Sequence, residues 1–179
     1  KLLKSKKGMQ IVPGDGSSHV AKLLINGASA DSWRIRNANI TDCELYWDWA
    51  NDLEVRNSAF HREPILWEDH QAWFQRKLKD SETNLFLVES DYGPVGQVRF
   101  EGTNVCKVIS YSIGRQFRGC NLGKKLLRMA IKSLNKEVRS VIGVVKKTNV
   151  SSARIFRSLG FKEEELLKKQ ALLFKINIQ

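Results

Sequence analysis

The sequence predicts an α/β domain whose central sheet is mixed but mostly antiparallel and is flanked by helices. Three observations carry that expectation. From Asn84 the pattern changes from helical period to strands in L-F-L-V-E-S, V-G-Q-V-R-F and K-V-I-S-Y-S-I, with the turn-forming D-Y-G-P and E-G-T-N between them. This is the pattern of a three-stranded antiparallel meander. The meander leads through R-G-C-N-L-G-K into a run of helical period, giving strand, glycine loop and helix. The chain then repeats strand and helix in S-V-I-G-V-V and S-S-A-R-I-F-R-S-L, which stops at Gly160, a residue suited to end a helix.

The elements follow in order. Pro13, Gly14, Asp15 and Gly16 mark a turn, and Ser17 or Ser18 can cap a short helix through Leu24. N-G-A-S-A-D-S reads as a linker, so residues 1–30 are expected to be an appendage and residues 31–179 the main domain. W-R-I-R-N-A reads as a strand with Trp33, Ile35 and Ala38 inward. Thr41 or Asp42 can cap a helix to about Ala50, with Leu45, Trp47 and Trp49 forming an aromatic side. N-D-L-E-V-R-N-S reads as a polar break before a second helix, W-E-D-H-Q-A-W-F-Q-R-K-L-K, on which Trp67, Trp73, Phe74 and Leu78 recur near the helical period. The helix after the glycine loop is expected from about Asn121 to Lys136, with a stripe of Leu122, Leu126, Leu127, Ala130, Ile131 and Leu134 packing on the sheet. S-V-I-G-V-V is a nearly continuous apolar run, as in a strand buried on both faces. K-K-Q-A-L-L-F-K-I-N-I closes the order βαα, three strands, α, β, α, β.

Bulk properties narrow the function. With 179 residues, 42% hydrophobic and 27% charged, the chain can bury a substantial core. No apolar run approaches the roughly 20 residues that span a bilayer, and no secretory pattern is present, so a cytoplasmic location without membrane insertion is expected. Cys43, Cys106 and Cys120 are odd in number and far apart, and His19, His61 and His70 lack close metal-ligand partners. Reduced thiols and no metal are therefore expected. The net charge of +11 favours an anionic partner. The basic residues are scattered, with no arginine-rich arm or zinc-finger spacing, which argues against nucleic acid.

R-G-C-N-L-G-K can act as an anion cradle. The first amides of a helix lack intrahelical partners and carry partial positive charge, so a phosphate there accepts several N–H bonds at once. Gly119 and Gly123 leave the approach open, while Arg118, Lys124 and Lys125 add charge. By itself the loop reads equally as a tight turn. It is neither G-x-x-x-x-G-K-[ST] nor a G-x-G-x-x-G opening a βαβ unit, so neither familiar nucleotide site fits.

With N-V-S-S-A-R-I-F-R-S-L-G-F after the next strand, the loop resembles the GNAT superfamily of acetyl-CoA-dependent N-acetyltransferases over roughly residues 32–179. The first motif of that family is Q/R-x-x-G-x-G/A, matched by Arg118, Asn121 and Gly123, with Asn121 where glycine is usual. The second is N-x-x-S/A-x-x-x-[YF]-x-x-x-G-F, matched by Asn149, Ser152, Phe156, Gly160 and Phe161. The resemblance implies acetyl-CoA as co-substrate, its pyrophosphate held by Arg118, Gly119, Cys120, Asn121, Leu122, Gly123 and Lys124. Asn149 then meets the pantetheine or thioester region, and Ser152 and Phe156 line the cofactor. It further implies an oxyanion donor in the backbone N–H of about Ile113 at the splayed end of the fourth strand. The usual acid, a tyrosine seven residues after the motif asparagine, is Phe156 here, and a phenyl ring donates no proton. Tyr111 and Ser112 are the candidates for acid or substrate contact, Glu101 is a candidate for steering a general-base water, and Phe156→Tyr is expected to keep or raise activity.

W-A-N-D-L-E-V-R-N-S-A-F-H-R-E-P-I-L-W-E-D-H-Q-A-W-F resembles the amino-sugar N-acetyltransferases of the pseudaminic acid pathway, which acetylate the 4-amino group of a UDP-linked amino-dideoxy sugar. That resemblance sets Arg56, Asn57, Ser58 and Phe60 in a substrate-facing loop between helices. G-M-Q-I-V-P-G-D-G-S-S-H-V-A-K-L-L-I resembles the end of the UDP-sugar hydrolase of the same pathway, as the remnant of a fused domain. A protein N-terminal acetyltransferase of the ribosomal-protein type and a non-catalytic acyl-CoA-binding module are the alternatives. A homodimer is compatible with all three.

Overall fold

The computed structural model describes residues 33–166 and 170–178. The expected appendage of residues 1–30, its boundary and the helix after Ser17 lie outside them. Strand β1 (Arg34–Asn37) leads through one 3-10 turn to the helices α1 (Cys43–Asn51), α2 (Leu53–Ser58) and α3 (Trp67–Lys79). Strands β2 (Asn84–Ser90), β3 (Gly93–Gly102) and β4 (Cys106–Ile113) form the meander. They are followed by α4 (Leu122–Lys132), β5 (Ser140–Lys146), α5 (Val150–Ser158) and the hairpin β6 (Lys162–Leu166) and β7 (Ala171–Asn177). All seven strands join one sheet in the order β1-β2-β3-β4-β5-β7-β6. Among the described residues only β4 and β5 run parallel; every other pair is antiparallel. The mixed, mostly antiparallel sheet is the one expected.

Because strand side chains alternate between faces, the sheet divides the core in two. One face carries Phe86, Val98, Phe100, Ile109, Val141 and Phe174 against Leu126, Leu127 and Ala130 of α4 and Ala153 and Phe156 of α5. The other, over β1 and β2, packs Leu85 and Leu87 against Tyr46 and Trp49 of α1 and Phe74 of α3. The Tyr46 hydroxyl, buried with its ring, donates to the Phe86 carbonyl, so the polar atom of this core residue is satisfied. His70, 3% exposed, faces the Cys43 carbonyl through Nε2 at 3.1 Å. Burial outweighs that bond and lowers its pKa below the ordinary 6.5.

Five local expectations change, the first being that the helix after the glycine loop ends at Lys132 rather than Lys136, so Leu134 lies beyond it. The polar break at residues 51–58 is the helix α2, because the Asp52 side chain accepts the Glu54 and Val55 N–H groups and starts it. Helix α1 is entered not by a Thr41 or Asp42 side-chain cap but through a 3-10 turn boxed by Asn39 and Asp42. The Asp42 carboxylate binds the Asn39 N–H and both terminal nitrogens of Arg36. Strand β5 is buried on one face only, for Val144 is 37% exposed. Strand β6, K-E-E-E-L, is an additional edge strand. Its charged side chains hide it from a period-two reading, and they are the kind that shield a free sheet edge.

Candidate active site

Two features of the backbone build the site. The first is a divergence of β4 and β5. Their parallel pairing runs from Cys106 with Ser140 to Ile109 with Gly143 and goes no further. Beyond it β4 stays with β3 up to Ile113, while β5 stays with β7 up to Lys146. The Gly114 N–H bonds the Val95 carbonyl at 2.9 Å in the same register. Antiparallel alternation therefore directs the backbone groups of Ser110 and Ser112 to β3 and those of Tyr111 and Ile113 toward the opening.

The second feature is the start of α4. Asn121 is left-handed, with φ 57° and ψ 22°, and Gly119 has φ 71°. Asparagine tolerates that region better than most residues, so Asn121 closes the loop where glycine is usual. No side chain caps the helix at Asn121, which leaves the first amides of an 11-residue helix available to an anion. An extended thioester ligand with a pyrophosphate fits this combination: free strand edges for its amide arm and an uncapped helix end for its phosphates. The backbone of Gly119, Cys120, Asn121, Leu122, Gly123 and Lys124 would hold the phosphates.

Side chains around these features divide by face. Tyr111, on the α5 face, shares a 2.9 Å hydrogen bond between its hydroxyl and Ser152 Oγ in the first turn of α5. Burial raises the Tyr111 pKa above its usual 10, with the Ser152 bond opposing. Asn149 caps α5 by accepting the Ser152 N–H at 3.1 Å. Ser112 points to the opposite face, 5% exposed, where its hydroxyl accepts from Gln97. Lys146, by alternation from Val145, shares that opposite face, and its ammonium donates to the Asn57 carbonyl of α2 at 3.2 Å and lies 5.9 Å from the Phe60 ring centre. Helix α2 and the segment after it thus border the opening on the side away from Tyr111.

Several expected residues are placed differently from their anticipated roles. The Arg118 side chain does not extend along the loop. Its Nε donates to the Ile113 carbonyl at 3.0 Å, and its Nη1 lies 2.7 Å from Asp52 Oδ1 and 3.1 Å from Glu54 Oε2. Phe156 is 2% exposed and stacks on Phe174, with its ring over Gly143. A core position explains its apolarity, and an added Phe156 hydroxyl would enter that core, so Phe156→Tyr is now expected to lower stability rather than raise activity. Gly123 leaves room for Ile155, since a Cβ there would lie 2.5 Å from Ile155 Cδ1; its smallness serves the contact of α4 with α5. The Leu122 side chain is buried with Val95 and Phe117. Glu101 pairs with Val108, five residues along β4 from Ile113 and so about 17 Å from the opening. There it binds Lys77 at 2.9 Å and Arg99 at 2.9 Å, which removes it from the group at the opening. Arg56, Asn57 and Ser58 lie on α2 rather than in a loop, and only Phe60 follows it. Cys120 approaches the Arg118 carbonyl, and all three cysteines are unbridged. Among the described residues no cluster of three ligands for a metal is found, and no helix is long and apolar enough to cross a membrane.

A family profile described as an acetyltransferase (GNAT) domain matches residues 33–162. The chain belongs to the GNAT acetyltransferase family. The activity class of that family, acyl transfer from acetyl-CoA to an amine, is the one expected. Among known proteins this GNAT domain is 26% identical over 149 residues to an uncharacterized protein of Methanocaldococcus jannaschii. The match spans 80% of this chain and 31% of that relative, so the chain covers about a third of the length of the curated relative it matches. A domain from the same organism superposes with TM-score 0.70 at 21% identity, covering 82% of this chain and 98% of that one. Spermidine N-acetyltransferase from Vibrio cholerae, solved with CoA and spermine, gives TM-score 0.72 at 14% identity over 82% and 95% of the two chains. Aminoglycoside acetyltransferase AAC(6')-Ib in complex with coenzyme A gives 0.69 at 16% over 82% and 95%. These structures share the fold.

Asp52 and Lys146 escaped the sequence reading. Asp52 had a detectable signal, an aspartate before a short run of helix formers. Lys146 had none, because only the divergence of β5 from β4 gives the end of that strand a role.

Proposed function

We propose that this GNAT domain transfers the acetyl group of acetyl-CoA to a primary amine of an anionic acceptor, the 4-amino group of a UDP-linked amino-dideoxy sugar of the pseudaminic acid type. One observation carries the choice of acceptor. Lys146 and Arg56 both reach the segment 57–63, and carbonyl oxygens receive them: Asn57 for Lys146 and Glu63 for Arg56. Arg56 Nε is buried without a hydrogen-bond partner, and the carboxylate that acts on Arg56, Glu63, only partly offsets the cost of its burial. A diphosphate would complete both by charge-assisted bonds. Spermine and ribostamycin, the polyamine and aminoglycoside found with structural neighbours, are cations that such a wall would repel. The net charge of +11 points the same way.

Acetyl-CoA supplies an activated acyl thioester. In this reading the Ile113 N–H donates to the carbonyl oxygen as negative charge grows there. Tyr111, protonated at neutral pH and oriented by Ser152, donates its hydroxyl proton toward the departing sulfur. The neutral amine attacks the carbonyl carbon from the opposite face, beside Ser112, Lys146 and α2. The C–N bond forms, the C–S bond breaks to give the free thiol, and the proton lost by the amine returns through water to Tyr111. Asn149 presents the first turn of α5. Residues 1–30 form, in the same proposal, an appendage from an upstream sugar-nucleotide hydrolase, with residues 31–179 the acetyltransferase domain.

Thiol release tests this. The protein with acetyl-CoA should release thiol with a UDP-linked 4-amino sugar, and Lys146→Ala should raise KM for that sugar about tenfold, the size of one lost charge-assisted bond. Turnover of an N-terminal peptide without the sugar would establish the ribosomal-protein type of activity instead. Coenzyme binding without turnover of either would establish a binding module.

A further inference from the structure

Arg118 lies in the phosphate loop, yet two of its guanidinium nitrogens are turned elsewhere, and the third, Nη2, is buried without a hydrogen-bond partner. Its Nε holds the Ile113 carbonyl, and its Nη1 holds Asp52, whose side chain is only 10% exposed. The same Asp52 oxygen accepts the Glu54 N–H at 3.0 Å and the Val55 N–H at 3.3 Å, so one carboxylate both starts α2 and anchors the arginine. Its second oxygen lies 3.4 Å from Arg115 Nε. The peptide joining Ile113 to Gly114 is thereby fixed at both ends: its carbonyl by Arg118 and its N–H by Val95. This is the end of β4 where β5 has departed and no ladder holds that side.

The geometry points to Asp52 as a positioning residue for acyl transfer. By holding Arg118 on the Ile113 carbonyl, it sets the strand end whose N–H is the proposed oxyanion donor and ties that end to α2, the acceptor-side wall. The inference rests on the role given to Ile113 above. Physically the arrangement is a strut. A planar guanidinium presents Nε to the carbonyl and Nη1 to the carboxylate in one fixed fork, whereas an ammonium offers a single nitrogen on a flexible stem. Deeply placed charge pairs also resist solvent screening better than exposed ones. The strut joins residues 52, 113 and 118, so a displacement of α2 when an acceptor arrives is felt at the Ile113 peptide without passing through the hydrophobic core. To take Nη1 of Arg118 a ligand phosphate would have to displace both Asp52 and Glu54, while Nη2 is buried without a hydrogen-bond partner.

Asp52→Asn tests the strut cleanly, since asparagine caps a helix as well as aspartate but carries no charge for Arg118. The expected result is a kcat about tenfold lower, as misplacement of a catalytic group produces, with KM for acetyl-CoA within about twofold of wild type. Arg118→Lys should behave the same, and the double variant should be no worse than either, because the two residues act as a unit. Arg157→Ala, which removes the exposed pair with Glu163, should leave kcat unchanged and serves as the stability control. A second readout needs no turnover. Hydrogen exchange of the Gly114 amide should quicken about tenfold in Asp52→Asn and Arg118→Lys, while amides of β2 and β7 keep their protection. An increase in KM for acetyl-CoA with kcat intact would make Arg118 a phosphate ligand and overturn the proposal. Additive losses in the double variant, or unchanged Gly114 exchange, would overturn it as well. Should wild type acetylate no acceptor at all, the functional reading fails while the Gly114 exchange still decides the strut.

Discussion

The two ends of β4 share one strand and have opposite surroundings. At the Cys106 end the strand is paired on both sides, by β3 and β5, and Ile109 sits in the larger core. At the Ile113 end one side of the strand is open, Ser112 and Gln97 make one face polar while Tyr111 and Ile113 border the core on the other, and the carbonyl is held by an arginine rather than by a sheet. The difference teaches where each kind of free energy is used. The closed half is fixed by apolar burial, and the open half keeps backbone donors that stability alone would have paired. Substitutions in the closed half should therefore change unfolding and leave the chemistry of surviving protein intact, and substitutions in the open half should do the reverse.

The largest effect is expected in the closed half. Phe174 is fully buried and stacked 5.2 Å from Phe156, so Phe174→Ala should lower unfolding free energy by about 3–5 kcal/mol. Urea denaturation measures it. A loss below about 1 kcal/mol would mean that this half is not the structural one. Next comes Tyr111→Phe, which removes the hydroxyl shared with Ser152. Its kcat should fall about a hundredfold, within the range of general acid catalysis, while stability changes by no more than about 1.5 kcal/mol. Because burial holds the Tyr111 pKa above 10, the wild-type rate should persist past pH 10 before the acid is lost. A rate that declines from neutral pH upward would point to another acid. The smallest effect belongs to His70, which is far from the opening. Its pKa is lowered in the folded state, so the unfolded chain binds a proton that the folded one refuses. Stability should be full above pH 6.5 and decline as pH falls through that value. His70→Gln should flatten that slope between pH 7 and 5 without altering the kinetics.

The legibility of the sequence follows the same division. β1, β4, α3 and α5 could be read because each sets a more apolar face against a more polar one, β2 because its short apolar run lies between turn residues, and Gly160, with φ 83°, ends α5 as its position suggests. The left-handed Asn121 was readable too, from the steric tolerance of its side chain. Helix α2 and strand β6 could not be read by periodicity, since neither buries an apolar face: no residue of α2 is fully buried, and β6 is exposed along most of its length. The site was legible in the backbone that a loop requires and illegible in its side chains. Arg118 looks like a phosphate ligand from its place in the loop, and only the fold reveals Asp52 beside it. Phe156 looks like a lost catalytic tyrosine until its ring is seen over Gly143, in the core.

Backbone amide resonances followed during titration with coenzyme A test most directly that the open end of β4 and the start of α4 form the cofactor site. The largest shifts are expected at residues 111 to 113 and 119 to 125, with the closed end of β4 and strand β6 unmoved. Shifts centred on α3 or on the β6–β7 hairpin, with residues 119 to 125 silent, would contradict the assignment of the opening as the site of acyl transfer.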